Sequence, residues 1–214
     1  MHILRVDASV SATSVSRRLA DAFDGELRVV EPHLAITHLD LAENPPEHLT
    51  DEALLTLHHR GAPSASTVNL PNGETQTYAE QVALADVVMI SSPVYNWSLP
   101  SNLKAWLDLM LVPGLTLPSR AIPHPLTGRT AVILLAYGGG GQPKHTTHLE
   151  DHARPYLEGL FGDTLGMQTY VISALHAGMP HSQHQKSEPH EFGLMVENCR
   201  RVARNIAPIY INHR

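Results

Sequence analysis

The residues best placed to do chemistry form one run, Ser91-Ser92-Pro93-Val94-Tyr95-Asn96-Trp97-Ser98-Leu99-Pro100. It follows Val87-Val88-Met89-Ile90, an apolar, largely β-branched stretch that reads as a buried parallel strand. It precedes Ser101 to Asp108, which reads as the opening of an amphipathic helix. A polar and aromatic loop at the carboxyl end of a central strand is where open α/β sheets bind ligands. Tyr95-Asn96-Trp97 sets amide hydrogen-bonding groups beside a wide flat ring. That combination suits a planar heteroaromatic with polar edges, such as a flavin. The alternative is a loop whose aromatics cover the core.

Two further segments have types and positions suited to the same ligand. Ala8-Ser9-Val10-Ser11-Ala12-Thr13-Ser14-Val15-Ser16 joins a first strand to a first helix. Its hydroxyls and backbone N–H groups gather at the positive end of a helix dipole, a ready site for a phosphate. It has no lysine and no P-loop glycine spacing, which argues against nucleoside triphosphate hydrolysis. It also lacks the GxGxxG dinucleotide fingerprint, so a monophosphate fits better. Simple N-capping would need Ser14 alone. The second segment is Tyr137-Gly138-Gly139-Gly140-Gly141. Its glycines permit positive φ and close approach of backbone N–H donors to a flat ligand. Such donors at a flavin's pyrimidine edge would stabilise the reduced state; the alternative is a flexible turn.

The elements that must position these loops alternate as strand and helix, which argues for a parallel sheet with helices on both faces. Strands are expected at His2–Asp7, Ala35–Leu39, Val87–Ile90, Thr130–Leu135 and Gln168–Ile172. Helices are expected from Ser14 to about Val30, briefly from Thr50, near Glu74–Ala85, Pro100–Leu111, Thr147–Phe161, and at the C-terminus toward Ala207. Gly61 to Gly73 and Pro113 to Pro125 read as irregular. Five strands in this order suit a flavodoxin-like sheet, 2-1-3-4-5, with right-handed crossovers and a switch point between strands 1 and 3. The loops after strands 1, 3 and 4 then lie along one edge of the sheet. They are the three loops singled out by their chemistry.

Pro93-Val94-Tyr95-Asn96-Trp97 resembles the flavin-contacting loop of the FMN-dependent NADH-azoreductase and quinone oxidoreductase family, a flavodoxin-like group. Ser9 to Ser16, Ala136-Tyr137-Gly138-Gly139 and Pro155-Tyr156-Leu157 agree with that family in order and spacing. The resemblance spans nearly the whole chain and is weakest between Glu43 and Thr75. It implies FMN as cofactor, NADH or NADPH as donor, and quinones or azo compounds as acceptors in a ping-pong cycle. It implies that Ser9, Ser14, Val15 and Ser16 hold the phosphate. Pro93, Val94, Tyr95, Asn96 and Trp97 would line the ring, and Ala136, Tyr137, Gly138 and Gly139 would supply backbone contacts. The family's last segment resembles Ser-Arg-Gly-Gly, so Ala136 and Tyr137 remove a hydroxyl and a cation. The family is also homodimeric, with sites at the subunit interface, and Leu109 to Leu117 is the expected contact. No side chain is assigned as general acid or nucleophile, because the cofactor carries the reaction.

Two other classes share the fold: a flavodoxin-like one-electron carrier and a regulatory flavin-binding module. The carriers' phosphate loop contains a glycine that Ser11 to Ser16 lacks. A serine hydrolase is disfavoured because no Gly-x-Ser-x-Gly elbow occurs. At 214 residues and 43% apolar, the chain suits one domain, 1–214, with an adequate core. A net charge of -6 without a basic block argues against nucleic acid or an anionic membrane surface as partner. No apolar run approaches bilayer length, and a strand begins almost at once, without a leader. The lone Cys199 cannot form an intramolecular disulfide, which fits a reducing cytoplasm, and reads as a buried structural thiol. The 15 histidines include His145, His148 and His152 at one helical face, the pair His181 and His184, and His58-His59. They lie among polar residues and read as solvated surface, not as metal ligands.

Overall fold

A computed structural model describes residues 1–51, 67–69, 75–138, 151–175 and 188–211. In chain order the elements are β1 (His2–Asp7), α1 (Val15–Val30), β2 (Ala35–Asp40), β3 (Thr67–Asn69), β4 (Thr75–Thr77), α2 (Tyr78–Leu84), β5 (Val87–Val94), α3 (Ser101–Met110), β6 (Thr130–Tyr137), α4 (Ala153–Glu158), a π-helical turn (Gly159–Thr164), β7 (Gln168–Ala174) and α5 (Glu188–Ile211). Five strands form one sheet in the order β2-β1-β5-β6-β7, and every neighbouring pair is parallel. This is the flavodoxin-like 2-1-3-4-5 order expected from the sequence.

Strand alternation divides the core in two. Leu4, Val6, Val88, Ile90, Ile133 and Leu135 point to one face, against Val82 of α2, Trp106 and Leu107 of α3, and Leu157 and Phe161 beyond them. Ile3, Val87, Met89, Val132, Leu134 and Ile172 point to the other, against Leu19 and Phe23 of α1 and Cys199, Ala203 and Ile206 of α5. Both layers are buried along β6 and along β5 up to Pro93, which explains why Val87–Ile90 and Ala131–Ala136 read as apolar runs. Cys199 is buried and free, as the sequence implied.

Several boundaries differ from the sequence expectation. β5 and β6 do not stop at Ile90 and Leu135. Their parallel ladder continues through Pro93↔Ala136 and Val94↔Tyr137, so Ser91, Ser92, Pro93, Val94, Ala136 and Tyr137, expected beyond the strands, are strand residues. Buried Ser91 and Ser92 hold that ladder through backbone pairing, despite side chains that give no strand signal. The stretch read as a loop from Gly61 to Gly73 contains β3, which pairs antiparallel with β4. β4 occupies the first residues expected to be helical before α2, because Thr77 starts that helix with a capping box shared with Glu80. The helix expected from Thr147 to Phe161 is α-helical from Ala153, with 147–150 outside the described residues, and runs on as a π-helix to Thr164. Gly166, at φ +71, ends it. The short helix expected from Thr50 has only Asp51 among the described residues.

Candidate active site

The parallel register places the carboxyl ends of β1, β5 and β6 side by side: Asp7 pairs with Ser91, and Val94 with Tyr137. Beyond Asp7 the chain stays attached, since Ala8 N–H donates to the Ser91 carbonyl at 2.9 Å. It then turns through Ser9 into α1. Ser14 is the N-cap, its hydroxyl accepting from Arg17 N–H at 3.3 Å. The Ser14 and Ser16 hydroxyls lie 2.9 Å apart, and both residues are buried. Helix geometry leaves the Val15 and Ser16 N–H groups without an intrahelical acceptor. Ser9 is also buried, and its hydroxyl accepts from Ser11 N–H at 3.2 Å, while Val10 projects into solvent. A phosphate monoester needs convergent N–H and O–H donors at a helix N-terminus, and this donor set provides them.

The loop after β5 is a two-residue hairpin. Tyr95 and Ser98 exchange both backbone hydrogen bonds at 3.0 Å, and Asn96 and Trp97 have φ of +50 and +65. Two left-handed central residues define a type I′ turn, for which Asn-Gly is the favoured pair. Asn suits its place; Trp does not, and its left-handed backbone is strained. The turn leaves Trp97 53% exposed at the carboxyl end of β5. The Trp97 carbonyl accepts from His152 N–H at 3.1 Å, just before α4.

Of the third segment, Ala136 and Tyr137 are buried strand residues and Gly138 follows them; Gly139 lies outside the described residues. Tyr137 donates its hydroxyl to Asp151 Oδ2 at 2.6 Å. Burial, reinforced by Asp151, holds that phenol protonated far above its ordinary range. The same carboxylate accepts from Ala153 N–H at 2.9 Å and Arg154 N–H at 3.3 Å through Oδ1. Asp151 therefore caps α4 while it holds Tyr137. Of the histidines, His145, His148, His181, His184, His58 and His59 lie outside the described residues, and among the described residues no cluster of three or more His, Cys, Asp or Glu could hold a metal. No helix among them is long and apolar enough to cross a membrane.

Three features escaped the sequence reading. Beneath the serine loop lies a buried ionic network. Asp7, fully buried, receives Arg5 Nη2 at 2.9 Å and lies 2.8 Å from His38 Nε2. Burial works to push its pKa up, but the hydrogen bonds from His38 and Arg5 outweigh that and hold the carboxyl at about 2. Arg5 also reaches Asp24 at 2.8 Å. Arg17 pairs with Asp40 and donates to the Ser9 carbonyl at 2.8 Å, tying the loop to the end of β2. The signal that could have found the network is Arg5 and Asp7, two opposite charges two apart on one face of an apolar strand. The second feature is Asn102, whose amide donates to the Ala8 and Leu41 carbonyls, both at 3.1 Å. It pins the start of α3 to the loops after β1 and β2. The third is Asp151.

Residues 1–191 match a family model described as a flavodoxin-like fold. An FMN-dependent NADH:quinone oxidoreductase of Methylobacterium radiotolerans is 38% identical over 196 residues, covering 88% of this chain and 93% of the relative. One from Parafrankia sp. is 35% identical over 182 residues, covering 80% of this chain and 84% of the relative. A crystal structure of an FMN-dependent NADH-azoreductase from Bacillus anthracis, in complex with FMN, superposes with a TM-score of 0.72 at 17% identity, over 97% of this chain and all of the other. At that identity the likeness is one of fold. Sheet order, loop placement and these relatives converge: the chain belongs to the flavodoxin-like family that includes the FMN-dependent NADH:quinone oxidoreductases.

Proposed function

We propose that this chain is an FMN-dependent NAD(P)H oxidoreductase that reduces quinones and azo compounds. The observation that carries the reading is the meeting, at the carboxyl ends of adjacent strands, of a serine-lined helix N-terminus and an exposed Trp97 turn. Those are the features that an anionic tail and a flat ring require, on a chain 38% identical to a relative of that activity. In this reading Ser14, Ser16 and the Val15 and Ser16 N–H groups receive the phosphate, with Ser9 beside them. The Trp97 indole packs against the ring, with Pro93, Val94 and Tyr95 beneath it. Asn96 meets a polar edge, and the Ala136 to Gly139 backbone meets the pyrimidine edge. Bound FMN supplies two-electron hydride chemistry; the chain binds it, orients it and tunes it electrostatically. Arg17 is already paired with Asp40, so phosphate recognition rests on neutral donors.

The reading extends to one domain over 1–214, a cytoplasmic setting and a homodimer. Support for the dimer is the apolar, partly buried Leu111–Leu117 segment, following Leu109 and Met110 at the end of α3. An isologous contact there would set this segment against its own copy across a two-fold axis. Steady-state NADH oxidation with a quinone tests the function. A single cavity serving donor and acceptor in turn predicts parallel double-reciprocal lines. Converging lines reject the shared cavity, and quinone-independent behaviour favours an electron carrier over an enzyme.

A further inference from the structure

We propose that Tyr137 and Asp151 are positioning residues that set the Trp97 turn through the start of α4. The proposal rests on the functional reading above only in what the turn is for. Tyr137, at the end of β6, is buried, and its hydroxyl reaches Asp151. Its hydroxyl spends its hydrogen bond on one oxygen of that carboxylate. The other oxygen holds the N–H groups of Ala153 and Arg154. Between Asp151 and Ala153 sits His152, whose own N–H donates to the Trp97 carbonyl at 3.1 Å. One carboxylate thus fixes the end of β6, the start of α4 and, one residue on, the hairpin after β5.

The turn needs such an anchor. A tryptophan at φ +65 sits in a region that L residues avoid, and strained backbone persists only where surrounding structure over-determines it. The exchange between Tyr95 and Ser98 closes the hairpin but does not fix its tilt against the sheet. The His152 N–H bond does, and that N–H is oriented by the cap that Asp151 makes.

The test is a double-mutant cycle of Tyr137→Phe and Asp151→Ala, with Asp151→Asn as the conservative variant. Trp97 and Trp106 are the chain's two tryptophans, and Trp106 is fully buried, so acrylamide quenching of the full-length, flavin-free chain reports Trp97. Quenching should rise about twofold in each single variant and no further in the double, because the two side chains act as one unit. Asp151→Asn should restore most of the wild-type value, since its amide keeps an oxygen for the helix N–H groups. On dilution of the FMN-loaded chain, free-flavin fluorescence should show roughly tenfold weaker retention in Tyr137→Phe, in keeping with loss of one hydrogen bond to a charged group. Unchanged quenching in Tyr137→Phe, or additive effects in the double variant, overturns the proposal. If the wild-type chain takes up no FMN, the functional reading falls, while the quenching measurement still decides the positioning role.

Discussion

Trp97 offers a prediction whose sign runs against the usual ranking of small residues. In an ordinary helix, glycine is about 1 kcal/mol worse than alanine. At φ +65 the order should reverse. A left-handed conformation costs an L residue about 1–2 kcal/mol, and glycine escapes that cost. Glycine gives back roughly 0.5–1 kcal/mol through its freer unfolded chain. Trp97→Gly and Trp97→Ala lose the same half-exposed indole, so that contribution cancels between them. Trp97→Gly also creates Asn-Gly, the pair that a type I′ turn favours. The midpoints of these ranges leave about 0.75 kcal/mol in favour of glycine, with an upper bound of about 1.5 kcal/mol, and each 1 kcal/mol is roughly 2–4 °C in melting temperature for a domain of this size. Urea and thermal unfolding should be followed by circular dichroism without flavin, since a bound ligand would shift both midpoints. Ala105→Gly, inside α3, serves as the control and should fall by about 1 kcal/mol. If Trp97→Ala is as stable as Trp97→Gly while the control behaves, the strained turn is refuted.

Ser16→Asp should weaken FMN retention more than a hundredfold in a dilution assay, because two negative charges would share a confined site; unchanged retention would place the phosphate elsewhere. Asp7, held at about 2, contributes stability that is fully present above the ordinary carboxylate range and is lost as pH falls toward 2. Asp7→Asn should therefore cost about 3 kcal/mol near neutrality in urea unfolding and flatten the acid limb of the stability profile; an unchanged acid limb would contradict the network's role. Burial, with Glu26 nearby, pushes the Cys199 thiol up to about 12, so native protein at neutral pH should resist iodoacetamide while urea-unfolded protein is alkylated, as read by mass spectrometry.

The sheet order and three candidate loops were legible because buried parallel strands leave uninterrupted apolar runs. Glycine, proline and serine then mark where each run gives way. What was illegible shares a cause: it depends on partners distant in sequence. Pro93 and Val94 are strand residues because Ala136 and Tyr137 lie beside them, a pairing that no local propensity encodes. β3 and β4 occupy a polar stretch whose signal is their mutual pairing. The π-helical turn differs from an α-helix in its i→i+5 bonding, which six residues of sequence pattern do not reveal, so Phe161 was legible as helical and not as π-helical. Arg5 and Asp7 look like surface charges until Arg17, His38 and Asp24 arrive from other elements. Tyr137 was singled out for its position beside glycines, whereas its hydroxyl answers to Asp151, fourteen residues on. The Gly139 to Glu150 stretch lies outside the described residues.

The central claim is that this chain holds FMN and passes electron pairs from a nicotinamide to a quinone. An anaerobic titration of the FMN-loaded protein with NADH tests it most directly. The account predicts that stoichiometric NADH bleaches the visible flavin band in the absence of any acceptor, and that a quinone added afterwards restores it. A band that NADH leaves untouched, or that bleaches only when the quinone is already present, would contradict the claim.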